Sequence, residues 1–139
     1  MAKTLAHKIF RIGRIPPAYK EGLAAEGIVW LEEGVRASIT LKDYKAPGRK
    51  TSWRRAGFTG SIALTRKRII AFAHSKRVIS VPFNDARITQ LEASIENGRC
   101  LVCAFDAAAF DSDRSGRVEC RFYIERPTRF LEQLNRMAT

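Results

Sequence analysis

The densest chemistry in the chain lies in Lys45-Ala46-Pro47-Gly48-Arg49-Lys50-Thr51-Ser52-Trp53-Arg54-Arg55, where five of eleven residues are cationic. Lysine and arginine bring charge and hydrogen-bond donors to phosphate or carboxylate, and a guanidinium can grip such a group with two donors at once. A tryptophan in such a run suits a boundary between water and an apolar phase. The other residue sets with chemical potential are weaker. Cys100-Leu101-Val102-Cys103 has the C-x-x-C spacing of zinc and redox sites, but residues three apart in a strand face opposite sides, and no second Cys/His pair accompanies it. Cys103 and Cys120 are expected to face inward on neighbouring strands as small core residues. Asp111-Ser112-Asp113-Arg114-Ser115-Gly116 resembles the first half of a calcium loop. The twelfth position is Phe122, where a bidentate Glu is required, so a turn between strands is expected instead. Gly57-Phe58-Thr59-Gly60 lacks the lysine of a phosphate loop, and its glycines read as a bulge or a close approach. His7 and His74 are the only histidines, and no Ser-His-Asp or paired-carboxylate pattern joins them. A non-catalytic protein with no metal and no cofactor is expected.

Charge concentrates the attention further. The 139 residues carry 25 Lys/Arg against 14 Asp/Glu, a formal net charge of +11. Residues 1–34 hold five basic and four acidic residues, residues 35–80 hold twelve and one, and residues 81–139 hold eight and nine. The middle third therefore carries the whole excess, as a binding face for an anionic partner would. The odd number of cysteines and the lack of a secretory signal point to a reducing cytosol. No apolar run approaches the roughly 18 residues of a membrane-spanning helix.

These residues need elements to position them. Leu5, Ile9 and Ile12 fall at helical spacing in a basic leader that Gly13 and Pro16-Pro17 end. A short helix is predicted from Pro17 to Ala25, opened by proline and stopped by Gly27. Ile28–Leu31 is compatible with a turn or a strand. From Val35 the apolar period becomes two, and seven strands are predicted: Val35–Tyr44, Gly57–Thr65, Arg68–Ala73, Arg77–Phe83, Arg87–Ile95, Arg99–Phe105 and Arg117–Ile124. Pro47-Gly48 and Asn97-Gly98 are turn signals, the second a two-residue hairpin. In the last strand Val118, Cys120, Phe122 and Ile124 face one way, and Arg117, Glu119, Arg121 and Tyr123 the other. Pro127 opens a final amphipathic helix with Phe130, Leu134 and Met137 on one face. Such a sheet must cover its apolar side, so a partly open antiparallel barrel with the last helix in one end is expected. The organisation read from the sequence is a leader with a short helix over residues 1–34 and a barrel domain over residues 35–139.

The strand order and two local motifs resemble the bacterial pleckstrin-homology-like and GRAM-like domains. Ile62-Ala63-Leu64-Thr65-Arg66-Lys67-Arg68-Ile69-Ile70 is similar to their "hydrophobic-Leu-Thr-x-x-Arg-Leu-Ile" strand-turn-strand. Val78-Ile79-Ser80-Val81-Pro82-Phe83-Asn84-Asp85 is similar to the next strand, although Ile88 falls later than that pattern expects. The likeness covers about residues 35–137. It implies a seven-stranded partly open barrel, a C-terminal helix and a binding module without catalysis. In the lipid-binding members the loop after the first strand carries the basic residues that meet phosphorylated headgroups.

Alternating strand direction places the turns after strands one, three and six at one end of the barrel. The expected anion or headgroup site is therefore Lys45, Arg49, Lys50, Arg54, Arg55, Lys76 and Arg77. Asp106, Asp111 and Asp113 fall at the same end, where they would neutralise the site or cover it. Arg66-Lys67-Arg68 falls at the opposite end. The partner expected first is an anionic membrane or protein surface, contacted peripherally from the cytoplasm at the inner membrane face. The alternative is a protein-interaction or homo-oligomeric assembly module built on sheet edges or the first helix. Nucleic acid ranks below both, because no series of aromatics offers a stacking platform.

Overall fold

The computed structural model describes residues 14–139. The stripe Leu5, Ile9 and Ile12 lies outside these residues. The protein is mainly β: seven antiparallel strands form one curled, partly open half-barrel, with a short N-terminal helix and a C-terminal helix. The elements in order are α1 (Pro17–Glu26), β1 (Ile28–Ala46), β2 (Arg49–Thr65), β3 (Arg68–Ala73), β4 (Lys76–Pro82), a 3₁₀ turn (Ala86–Gln90), β5 (Glu92–Glu96), β6 (Cys100–Asp106), a 3₁₀ turn (Ala107–Ala109), β7 (Ser115–Phe122) and α2 (Pro127–Ala138). The sheet order is β4-β3-β2-β1-β7-β6-β5. β4 and β5 are its two edges and do not pair with each other, so the barrel stays partly open.

Three predicted boundaries are corrected. β1 begins at Ile28, because Ile28 and Trp30–Glu32 pair with the end of β2 before a register shift near Gly34. The segment Lys45–Ala56, expected as a loop, is strand on both sides of a turn at Pro47-Gly48. Lys45 pairs with Lys50, Tyr44 with Thr51, Lys42 with Trp53 and Leu41 with Arg54. A dense cationic run is compatible with a strand whose side chains reach water, and Gly48 supplies the left-handed φ of 72° that the turn needs. The predicted strand Arg87–Ile95 is divided into the 3₁₀ turn and the five-residue β5. Asp85 causes the break: its carboxylate accepts from the Arg87 backbone N–H at 2.8 Å and fixes a turn there. The Asn97-Gly98 hairpin is present, with both residues at positive φ.

Alternation along the strands builds two cores. The inner one gathers Val35, Ala37 and Leu41 of β1, Ile62 and Leu64 of β2, Ile79 and Val81 of β4, and Val118, Cys120 and Phe122 of β7. Phe130 and Leu134 of α2 join it. The Trp30 ring meets Phe130 edge-on at 5.5 Å, which places α2 at the end where β1 starts and β7 finishes. The smaller core lies on the convex face, where Ile15 and Leu23 cover Ala63, Ile70 and Phe72. Full burial of Leu23 alone is worth about 1.5–3 kcal/mol. A hydrogen-bond knot holds α1 in place: Thr65 donates to Glu26 at 2.8 Å and accepts from the Lys67 and Arg68 N–H groups. Arg68 pairs with Glu26 at 2.8 Å. Gly60 is required by close approach, since a Cβ there would collide with the Phe72 carbonyl and the Phe58 ring.

Candidate functional site: the open mouth of the half-barrel

With α2 in one end, the other end is open. β1 and β2 turn there at Pro47-Gly48, β3 and β4 at His74-Ser75, and β6 and β7 through Ala107–Arg114. Between them is a cavity of about 340 Å³, at the lower end of the roughly 300–1,000 Å³ typical of ligand pockets. Its lining mixes apolar side chains, Ile39, Leu41, Val78, Ile79, Leu91 and Phe105 among them, with charged ones. The charged groups lining it are Arg49, Lys76, Arg77, Arg87 and Arg114, with the single acid Asp111.

The seven residues expected to form the site are divided by this geometry. Arg49, Lys76 and Arg77 line the cavity. Lys45, Lys50, Arg54 and Arg55 do not. They are exposed along the β1–β2 ribbon, where Lys45 and Lys50 oppose each other and Arg55 opposes Thr40. Trp53 is 60% exposed and opposes Lys42, so it does not pack on the barrel. Arg66, Lys67 and Arg68 lie at the far end beside α1, where Arg66 donates its N–H to Gly27. The acids of the sixth turn make no ion pair with Lys45–Arg55 among the described residues. Asp111 lines the cavity and Asp113 lies 3.8 Å from Arg114.

Two mouth cations escaped the sequence reading. Arg87 falls within a predicted strand, and Arg114 lies among the acids of its turn. Both are committed to neighbours. Arg87 grips Asp85 with two donors, at 3.1 and 2.7 Å, and its hydrogen bonds hold that carboxyl down at about 2. Arg114 donates to the Tyr44 hydroxyl at 3.3 Å. Arg49, Lys76 and Arg77 differ. None has a carboxylate within ion-pair distance among the described residues, and Arg49 rests only on the face of Tyr44, 5.8 Å from its centroid.

The convex face of β1, β7, β6 and β5 provides the contrast. Glu119 is buried there and accepts from three cations: Lys42 at 3.2 Å, Arg117 at 3.3 Å and Arg121 at 3.2 Å. Arg117 also binds Glu92 through two nitrogens, at 2.9 and 3.2 Å, and Arg121 binds Glu96 at 3.0 Å. Burial alone would raise the Glu119 pKa, but hydrogen bonds from Lys42, Arg117 and Arg121 outweigh it and leave the value lowered. Glu92 and Glu96 are lowered chiefly by hydrogen bonds from Arg117 and Arg121.

The cysteines are core residues. Cys103 and Cys120 oppose each other on β6 and β7, and burial pushes the Cys120 thiol up to about 12 and Cys103 higher still. Cys100 lies on the other face, beside Glu96. Thiols held so far from ionisation are poor nucleophiles and poor metal ligands. Among the described residues no group of three or more His, Cys, Asp or Glu is arranged to hold a metal. His74 has a φ of 55° in the β3–β4 turn and meets the Phe58 ring at 6.5 Å. No protein-family model matches the chain, and neither does any curated protein. No helix among the described residues is long and apolar enough to cross a membrane.

Proposed function

We propose that this protein is a non-catalytic binding module that holds an anionic ligand at the open mouth of its half-barrel. One observation carries the reading: Arg49, Lys76 and Arg77 line one cavity together, and none of them has a carboxylate within ion-pair distance among the described residues. Unpaired cations around a concavity repel one another, and an anion relieves that repulsion while taking their hydrogen bonds. The pleckstrin-homology likeness supports the same end of the barrel. The ligand surface proposed first is an anionic membrane. Lys45, Lys50, Arg54, Arg55 and the exposed Trp53 would then add nonspecific attraction beside the mouth, each cation worth about 1 kcal/mol near an anionic bilayer.

Co-sedimentation with vesicles containing phosphatidylglycerol tests this. The protein should pellet at low salt and be released as salt rises. The variant carrying Lys76→Glu and Arg77→Glu should stay in the supernatant. Failure of the unaltered protein to pellet at low salt contradicts the membrane reading.

A second reading has its own observation. β2 pairs with β3 only from Gly60 to Leu64, which leaves the β3-side edge of residues 49–58 unpaired among the described residues. An open edge of that length can accept a strand from another protein. Its like charges, Arg49, Lys50, Arg54 and Arg55, oppose pairing with a second copy. A protein that runs as a monomer at high concentration in light scattering counts against homo-oligomeric assembly.

A further inference from the structure

The mouth has two chemistries at different depths, and a simple anion uses only one of them. Lys76, Arg77, Arg49 and Asp111 are exposed. Below them Leu41, Ile79, Val81 and Val118 are buried, and Ile39 and Val78 are partly so. Inorganic phosphate at the rim would leave the apolar side chains of the lining without a contact. A neutral apolar molecule would leave the rim cations unpaired. Pockets that hold single ligands combine apolar side chains with a few placed polar groups, and here β4 and β5 do not pair, which leaves the mouth open beside the packed core.

We infer that the mouth takes an anionic amphiphile: one aliphatic chain against the apolar side chains of the lining, with its carboxylate or phosphate head at the rim formed by Arg49, Lys76 and Arg77. The chain end of the ligand makes dispersion contacts and removes apolar surface from water; the head takes charge-assisted hydrogen bonds. This rests on reading the rim as an anion site and adds the chemistry of the rest of the ligand. The same chemistry is offered by a free single-chain amphiphile and by a lipid drawn from a bilayer.

The test compares inorganic phosphate, octyl phosphate below its micelle concentration and octanol, by calorimetry and by NMR of the full chain. Each buried methylene tightens binding roughly three- to fourfold, so octyl phosphate should bind at least about tenfold more tightly than inorganic phosphate. Nuclear Overhauser contacts should join its chain to the methyl groups of Leu41, Val78 and Ile79. Lys76→Glu with Arg77→Glu should abolish binding of both anions. Equal affinity for the two anions, both lost in that variant, overturns the amphiphile and leaves the rim reading intact. Binding of neither anion overturns both. Octanol binding as tightly as octyl phosphate also overturns the inference, because the rim would then contribute nothing. A vesicle arm separates the two sources. Octyl phosphate that binds alone and releases the protein from phosphatidylglycerol vesicles supports one shared pocket. Vesicle binding that octyl phosphate does not relieve overturns it.

Discussion

Two regions of the same sheet handle positive charge in opposite ways. On the convex face, Lys42, Arg117 and Arg121 converge on Glu119, and Glu92 and Glu96 complete the ladder. At the mouth, Arg49, Lys76 and Arg77 line a cavity, and none of them has a carboxylate within ion-pair distance among the described residues. The two arrangements draw on the same residue types, so charge alone does not distinguish a paired surface from an unpaired one. What distinguishes them is whether the strand opposite supplies an acid. β7 supplies Glu119 and β5 supplies Glu92 and Glu96, whereas the turns around the mouth offer only Asp111 at the cavity, against five cations.

The strongest perturbation separates the two faces of β7 itself. Phe122 is fully buried and meets Phe58 edge-on at 6.2 Å. Phe122→Ala should cost about 3–5 kcal/mol of stability in urea unfolding. Three residues away on the other face, Glu119→Gln should cost about 1.5–3 kcal/mol, the range for hydrogen bonds to a charged group. Most of that resides with Arg121, whose side chain is 13% exposed against 36% for Arg117. Exposed pairs such as Arg117–Glu92 contribute little. Neither variant should weaken anion binding at the mouth by more than its effect on the folded fraction.

The reverse variants should behave in the reverse way. Lys76→Ala and Arg77→Ala remove no internal ion pair, so each should change stability by less than about 0.5 kcal/mol. Each should nevertheless weaken vesicle binding about fivefold at low salt, the equivalent of one surface cation. A variant of this pair that destabilises as much as Glu119→Gln would remove the contrast between the regions.

Acid gives the smallest and most selective effect. The carboxyl groups of Glu92, Glu96 and Glu119 all lie below their ordinary value of 4.5. A lowered carboxylate stabilises the fold fully above its unfolded value and loses that contribution as pH falls through its folded value. Stability should therefore be level down to about pH 5 and decline below it. Asp85, at about 2, adds to the fall between 3.8 and that value. Glu119→Gln should flatten part of this decline, measured by urea midpoints against pH, and Arg77→Ala should leave it unchanged.

The sequence was most legible where local signals agreed. Val118, Cys120, Phe122 and Ile124 alternate inward as read, and Asn97-Gly98 and Pro47-Gly48 turn where expected. The long β1–β2 ribbon was not legible, because a run of five cations and a Trp53 resembles a loop until its partners across the hairpin are known. The 3₁₀ turn at Ala86–Gln90 was hidden by Ile88 and Leu91, whose spacing suits a strand with one break. Of the seven cations expected together, Arg49, Lys76 and Arg77 line one cavity and four do not. Which cations remain unpaired depends in part on contacts far apart in the chain, such as Arg121 with Glu96 and Lys42 with Glu119. No local pattern shows that Lys45 and Arg49, four residues apart, have separate surroundings.

The central claim is that the mouth, and not the ladder, is where this protein meets an anion. It is tested most directly by titrating the ¹⁵N-labelled protein with octyl phosphate at low salt and following backbone amide shifts. The account predicts saturable shifts at Arg49, Lys76, Arg77, Val78 and Arg114, with Glu96 and Arg121 unmoved. Shifts centred on Lys42, Glu119 and Arg121, or none at the mouth, would contradict it.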